Sequence, residues 1–325
     1  MAEQFQIRTD LAVEMNEEAS KTTGRLKGII VNEHEEKKTG ILVTEIKITN
    51  KDGERALGRE KGTYITIDAD CISFDDTDYQ IHTSEILTRF LRQLIDGMVK
   101  PEVRNRKLLV VGLGNRQVTS DSLGPLVVEH LEITQEEVSE QDNTKESVEV
   151  EVPGEITYRI SALNPGVLAQ TGMETAFIIK GIVKETKPDL VIAIDALAAR
   201  NSRRLNATIQ LADKGIHPGS GVGNHRTGLT KSVIGVPVLA IGVPTVIDAP
   251  TIVSDSMENL MAAVSSSEKL MYMSDLFEGF TREEKYHLIK EVMPADMANM
   301  YVTPKNIDAN VCNIAFVLAH AINNL

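Results

Sequence analysis

Two aspartates follow apolar runs of this sequence, and a pair of carboxylates can act as general acid and general base. Asp121 follows an apolar run at residues 107–113 and the Gly-rich turn at residues 112–115. Asp195 directly follows a second apolar run, at residues 189–194. If the two runs are neighbouring parallel strands, both carboxylates lie in the crevice outside the carboxyl ends of the strands, where reactive groups of α/β sheets gather.

Two carboxylates in one crevice hold a single proton between them, because close like charges resist simultaneous ionisation. The ionised partner can activate water while the protonated partner polarises a carbonyl group, which is the chemistry of peptide hydrolysis without a covalent intermediate. Each aspartate also has a purely structural interpretation. Asp121 is a preferred residue type for the N-cap of the helix that follows it, and Asp195 is a common turn residue at a strand end.

The turn at residues 112–115, Gly-Leu-Gly-Asn, also raises the hypothesis of a nucleotide site. A dinucleotide fingerprint needs a third glycine that lets the helix approach the sheet, and Gln117 occupies that position. A non-catalytic nucleotide-binding protein that uses this turn for phosphate remains an alternative. We expect no cofactor.

The histidines and acids do not form a recognisable metal motif. None of the seven His residues belongs to an HExxH motif or a close His pair. The acids Asp75, Asp76 and Asp78 lack the ligand register of a calcium loop. The sequence therefore predicts no metal site.

The pattern of apolar residues predicts the elements that must position the two aspartates. Strands are predicted near residues 28–32, 41–49, 62–68, 107–113, 189–194 and 236–243, and helices near 79–98, 122–131, 172–185, 256–267, 281–293 and 307–322. Strands that alternate with helices indicate an α/β fold with a mainly parallel, doubly wound sheet flanked by helices. Residues 28–70 form an additional, smaller β-rich region near the N-terminus.

Composition excludes several classes of function. The 325 residues carry 34 Lys+Arg against 47 Asp+Glu, a formal net charge of −13, which argues against direct nucleic-acid binding. The longest apolar stretch, residues 233–247, is interrupted by Gly and Pro and is shorter than the ~20 residues that span a bilayer. The start lacks the apolar region of a signal peptide, and two cysteines suit a reducing cytosol. These features predict a cytoplasmic protein.

Several segments together resemble the spore germination protease family across essentially the whole chain. They are RTDLAVE, GLGN with VTSDSLGP, NPGVLAQTGMET, DLVIAIDALAAR, PGSGVGNHRTGL and GVPTVIDAP. The resemblance implies a homotetrameric endopeptidase of the forespore or spore core that degrades small acid-soluble spore proteins during germination. It implies a fold similar to that of the hydrogenase-maturation proteases, and its two essential acids match Asp121 and Asp195. A hydrogenase-maturation-like, metal-dependent processing peptidase remains an alternative, although we favour metal-independent catalysis.

The same resemblance implies that the chain is made as an inactive zymogen. Substrates of the family are cut after an acid in segments such as Thr-Glu-(Phe or Ile)-Ala-Ser-Glu, and residues 9–14, Thr-Asp-Leu-Ala-Val-Glu, follow that pattern. We predict self-cleavage between Asp10 and Leu11, which makes residues 1–10 a propeptide and residues 11–325 a single peptidase domain. The alternative is a disordered terminus. Candidates for a basic contact to the acid before the cut are Arg200, Arg203 and Arg204.

Overall fold

A mixed nine-stranded sheet runs through the part of the chain that the computed structural model describes, residues 11–23, 26–134, 156–218, 227–265 and 282–325. Its strands lie in the order β1-β2-β3-β7-β8-β6-β4-β5, and β9 pairs with the end of β8. The bounds are β1 (Ile29–Glu36), β2 (Ile41–Ile48), β3 (Gly62–Asp68), β4 (Asn105–Gly112), β5 (Thr157–Leu163), β6 (Leu190–Ala199), β7 (Thr208–Ala212), β8 (Val238–Asp248) and β9 (Tyr301–Val302).

The two halves of this sheet differ in strand direction. Strands β8, β6, β4 and β5 are parallel, and β4, β6 and β8 are almost entirely buried, as expected for strands covered on both faces. Strands β1, β2, β3 and β7 are antiparallel, and β7 joins them to β8. The predicted α/β class is confirmed. The N-terminal β-rich region supplies β1 to β3, which continue the same sheet.

Helices cover both faces of the sheet. They are α1 (Ala12–Thr23), α2 (Lys51–Leu57), α3 (Thr77–Met98), α4 (Leu123–Glu129), α5 (Leu168–Thr171), α6 (Thr175–Thr186), α7 (Lys231–Ile234), α8 (Ala249–Ser265), α9 (Arg282–Val292), α10 (Ala295–Ala298) and α11 (Ile307–Asn323). Helices α3, α4 and α11 bury the largest hydrophobic cluster against one face. On the other face, α6 and α7 pack over the parallel half, and α1 and α2 pack over the antiparallel half.

Most predicted elements are present, and the differences have local causes. Residues 51–57, for which no element was predicted, form α2, because the side chain of Asn50 accepts hydrogen bonds from the N–H groups of Asp52 and Gly53 and caps the helix. Residues 12–23, for which no helix was predicted, form α1. Strands β5, β7 and β9 were not predicted. Among the described residues, no helix has both the length and the apolar character that a membrane span requires.

Candidate active site

Asp195 lies inside a strand, and the prediction that it directly follows the strand is wrong. It is the sixth of the ten residues of β6, because the Ala and Leu residues after it continue to pair with β8. The neighbouring strand β4 is shorter, and the N–H of Leu113 just beyond it donates to the carbonyl of Ile194 at 2.8 Å. Asp195 therefore still lies beyond the carboxyl end of a neighbouring strand, as the argument from sequence required.

The side chain of Asp195 belongs to the sheet face that carries α6. Val191 and Ala193 pack into the cluster with α6, and strand residues alternate between faces, so Asp195 shares their face. Its residue exposure is only 5%, and its Oδ1 accepts a hydrogen bond from the N–H of Ala196 at 3.0 Å. A buried carboxylate of this kind keeps its polar contacts inside the protein.

Asp121 closes the turn between β4 and α4. It ends a short 3₁₀ segment, Thr119–Asp121, and its Oδ2 accepts a hydrogen bond from the N–H of Asn115 at 2.8 Å. Ser122 occupies the N-cap position of α4, so the N-cap interpretation of Asp121 is wrong. The carboxylate instead fixes the Gly-rich turn that leaves β4, in which Gly114 has φ of 109° and a Cβ would overlap the carbonyl oxygen of Asp121.

Asp121 and Asp195 line one cavity of about 270 Å³. The strand pair β6 and β8 forms one wall, and the turn that carries Asp121 forms another. Six further polar residues line the cavity: Ser120 in the turn, Glu174 and Thr175 at the start of α6, Thr227, Thr245 in β8 and Tyr301 in β9. Glu174 adds a third carboxylate. All of these residues except Tyr301 lie in segments that carry the family resemblance, but none of them was predicted to belong to the site.

The three candidate arginines have different environments, and none lines this cavity. Arg204 forms a two-pronged contact with Glu17 of α1, at 2.6 and 3.3 Å. It also lies 3.6 Å from both Glu14 and Asp68. Arg203 is exposed, whereas Arg200 is 5% exposed. The sequence treated the three alike, but their burial and partners separate them.

Arg200 belongs to a polar group beside the cavity wall. It follows Ala198, which lines the cavity, and its charge acts on Tyr286 of α9. Burial raises the pKa of the Tyr286 phenol well above its usual range, and its hydrogen bond to Asp248 at 2.5 Å raises it further. The phenol therefore stays a neutral donor to Asp248, at the end of the strand that carries Thr245.

The predicted cleavage position is adjacent to a buried segment. Asp10 lies outside the described residues. Leu11 is fully buried, and the N–H of Ala12 donates to Oε1 of Gln210 at 2.5 Å. Leu11 shares a hydrophobic cluster with Leu197, which also lines the cavity. The segment after the predicted cut thus belongs to a hydrophobic cluster that reaches the wall of the cavity.

A metal-binding arrangement is not found among the residues that the structure describes. Within residues 11–23, 26–134, 156–218, 227–265 and 282–325, no three His, Cys, Asp or Glu side chains are grouped so that they could hold an ion.

Comparison with known proteins assigns the chain to a class and a family. The family model described as germination protease matches residues 7–271. The germination protease of Caldanaerobacter subterraneus subsp. tengcongensis is 43% identical over 98% of this chain and 93% of its own. That of Clostridium tetani is 39% identical over 98% and 94%, and that of Bacillus pumilus is 39% identical over 98% and 93%.

Among solved structures, the [NiFe] hydrogenase maturation protease HycI from Thermococcus kodakarensis KOD1 matches 48% of this chain and 80% of its own, with 19% identity and a TM-score of 0.30. The relatives define the class of this protein as a peptidase, a hydrolase that acts on peptide bonds. Within that class, the chain belongs to the germination protease family.

Proposed function

We propose that this chain is an endopeptidase that initiates the degradation of small acid-soluble spore proteins, and that Asp121 and Asp195 are its catalytic residues. The observation that carries the proposal is that both carboxylates line one cavity beyond the end of β4. One carboxylate activates a water molecule, and the other, protonated, donates a hydrogen bond to the carbonyl oxygen of the scissile bond. Asp195 lies on strand β6 and Asp121 on the turn that follows β4, and both elements hold their side chains in fixed positions.

The experiment that tests this role replaces each carboxylate by its amide. Asp121→Asn and Asp195→Asn keep the shape of the side chain but remove its ability to take up a proton. We expect each to lower kcat for a peptide containing Thr-Glu-Ile-Ala-Ser-Glu by about 10²–10⁴-fold. The matched control is Asp189→Asn. Asp189 directly precedes the first residue of β6, at the end of the strand away from the cavity, and its carboxylate accepts a hydrogen bond from the N–H of Lys107. Near-normal cleavage by either site variant contradicts the proposal.

We further propose that catalysis does not require a metal. Three carboxylates of the described residues line the cavity, but no three donors are grouped so that they could hold an ion, and a catalytic zinc site usually has three protein ligands. Exhaustive chelation should leave the rate of peptide cleavage unchanged. Loss of activity that a single metal ion restores would support instead the metal-dependent alternative, a processing peptidase of the hydrogenase-maturation kind.

The proposed specificity is cleavage after Glu or Asp and before a hydrophobic residue, with Arg200 as the basic contact. Arg200 is buried and lies two residues after Ala198, which lines the cavity, whereas Arg203 lies on the exposed turn and Arg204 contacts Glu17 of α1. Two peptides are compared that differ only in the residue before the cleaved bond, which is Glu in one and Gln in the other. Arg200→Gln should raise KM for the Glu peptide more than KM for the Gln peptide. Arg203→Gln is the control, and equal effects on both peptides contradict the role of Arg200.

We propose that the chain is a zymogen that cleaves itself between Asp10 and Leu11. Because Leu11 is fully buried, residues 11–13 must leave their cluster before that peptide bond can reach an active site. The test is incubation of the purified protein at mildly acidic pH, followed by N-terminal sequencing. A new terminus at Leu11 that the Asp195→Asn variant does not produce supports self-processing, and a terminus elsewhere contradicts the assigned position.

The remaining parts of the proposal concern assembly, location and partners. We propose a homotetramer in the cytoplasm of the forespore and the spore core, with small acid-soluble spore proteins as substrates and no direct contact with nucleic acid or membrane. Sedimentation equilibrium tests the tetramer. If the protein cleaves several small acid-soluble spore proteins and does not require one metalloprotein partner, it is not a maturation peptidase. If nucleotides raise its melting temperature, the nucleotide-binding alternative is favoured.

A further inference from the structure

The ladder between the parallel strands β6 and β8 loses its register beside the cavity. Leu197 pairs with Pro244, and Ala198 pairs with Val246, so Thr245 is an extra residue on β8. Such a β-bulge is rare between parallel strands. Bulges occur next to active sites because the extra residue redirects a side chain that would otherwise follow the regular alternation of the strand.

The bulge places the Thr245 hydroxyl against the turn that carries Asp121. Thr245 is fully buried and lines the cavity, and its Oγ1 donates a hydrogen bond of 2.6 Å to the carbonyl oxygen of Ser120. The backbone bonds of this turn are local, such as that from the N–H of Asp121 to the carbonyl of Val118. The hydrogen bond from Thr245 instead joins the turn to β8, and β8 is paired with β6, the strand that carries Asp195.

We propose that Thr245 is a positioning residue that fixes the Asp121 turn relative to the strand pair that holds Asp195. This role rests on the proposed function of the two aspartates. The physical reason is that two carboxylates can share the work of proton transfer only at a fixed separation, and a displacement of about 1 Å can cost about 10²-fold in rate. Removing the hydroxyl leaves the partly buried carbonyl of Ser120 without this hydrogen bond, so the turn shifts to find another partner.

The test compares Thr245→Val, which keeps the shape of the side chain but lacks the hydroxyl, with Thr245→Ser, which keeps the hydroxyl. We expect Thr245→Val to lower kcat by about 10- to 100-fold with a much smaller change in KM, and Thr245→Ser to restore most of the rate. Thr245→Ala is measured in parallel, so the comparison with serine stands even if the valine variant does not fold. The control is Thr66→Val in β3, since Thr66 is also buried but its hydroxyl has no hydrogen-bond partner in the structure.

Hydrogen exchange of residues 115–122 gives a second readout that does not depend on catalysis. Exchange should be faster in Thr245→Val than in the wild type, Thr245→Ser or Thr66→Val. Unchanged kcat and exchange in Thr245→Val overturn the proposal, as does a serine variant that is impaired as much as the valine and alanine variants. If Asp121→Asn retains cleavage, the proposed function fails, whereas the exchange measurement still decides whether Thr245 holds the turn.

Discussion

Leu11 and Leu197 lie in the same buried hydrophobic cluster, and Leu197 is at the same time part of the wall of the cavity that holds Asp195. The residue that follows the predicted cleavage position is therefore packed next to the candidate active site. The N–H of Ala12 reinforces this packing through its bond to Gln210 of β7. Residues 11–13 are thus part of the hydrophobic core of the described structure.

Leu11→Ala should destabilise the chain strongly. A fully buried leucine loses its apolar contacts and leaves a cavity when it is truncated, so we expect the free energy of unfolding to fall by about 2–5 kcal/mol. Urea denaturation followed by circular dichroism measures the change. Leu260→Ala on α8, where the leucine is 62% exposed, is the control and should change stability by no more than about 0.5 kcal/mol. Similar values for the two variants would show that residue 11 is outside the core.

Arg204→Ala should loosen α1 from the sheet. The guanidinium contacts Glu17 and lies close to Glu14, which is 5% exposed, so its removal leaves a buried carboxylate without this cation. Because Glu17 is half-exposed, we expect a loss of about 1–3 kcal/mol, less than for a fully buried pair. Arg203→Ala in the same turn is the control. Thermal unfolding compares the two variants, and equal midpoints would contradict a structural role for Arg204.

Asp68 should make stability fall as the pH rises. Burial raises the pKa of this carboxyl above its ordinary value of 3.8, and it outweighs the bond from Thr208 and the charge of Arg204, which lower that pKa. The native state therefore holds the proton more tightly than the unfolded state does. The contribution of Asp68 to stability is greatest below the unfolded pKa and is lost as the pH rises through the raised one.

Asp68→Asn isolates this contribution, because the amide does not titrate. The unfolding free energy of the wild type relative to Asp68→Asn should decrease from about pH 4 upward, through the raised pKa of Asp68. Urea titrations of both proteins at a series of pH values give the difference. An increase of that difference with pH would mean that the salt bridge with Arg204 dominates and that the pKa is lowered.

The α/β class and the buried strands could be predicted because continuous apolar runs indicate strands covered on both faces. Residues 62–68 match β3, and residues 107–113 match β4 to within two residues. The end of β6 could not be predicted, because Asp195 ends the apolar run at residues 189–194 although the strand continues to Ala199. Strand β7 pairs only through long-range contacts with β3 and β8, which a local pattern does not contain.

At the site, the sequence identified the two aspartates and missed the residue that connects their elements. Asp121 and Asp195 were recognisable because each follows or interrupts a buried strand. Thr245 was not, because its role arises from a one-residue register shift between β6 and β8, and register is a property of the pairing. The contacts of Arg204, one of three candidates for the basic contact, could not be predicted either, since its partners Glu14 and Glu17 come from a helix far away in the chain.

Gly114→Ala should lower activity although it keeps both aspartates. Gly114 has φ of 109°, and a Cβ there would overlap the carbonyl oxygen of Asp121, so the turn must move when the methyl group is added. We expect a fall in kcat of about 10²-fold, together with a lower melting temperature. Cleavage of the Thr-Glu-Ile-Ala-Ser-Glu peptide measures the first and calorimetry the second.

The matched control is Gly97→Ala in α3, because a Cβ at Gly97 meets no atom within 4 Å and the residue has an ordinary helical backbone. An alanine there should increase stability by about 0.5–1 kcal/mol, since glycine is the less favourable residue in a helix, and it should leave kcat unchanged. The test is specific because Gly114→Ala is expected to lower the stability of the protein, whereas Gly97→Ala is expected to raise it. If Gly114→Ala kept full activity, the carboxylate of Asp121 would not need the position in which the bond from Asn115 holds it.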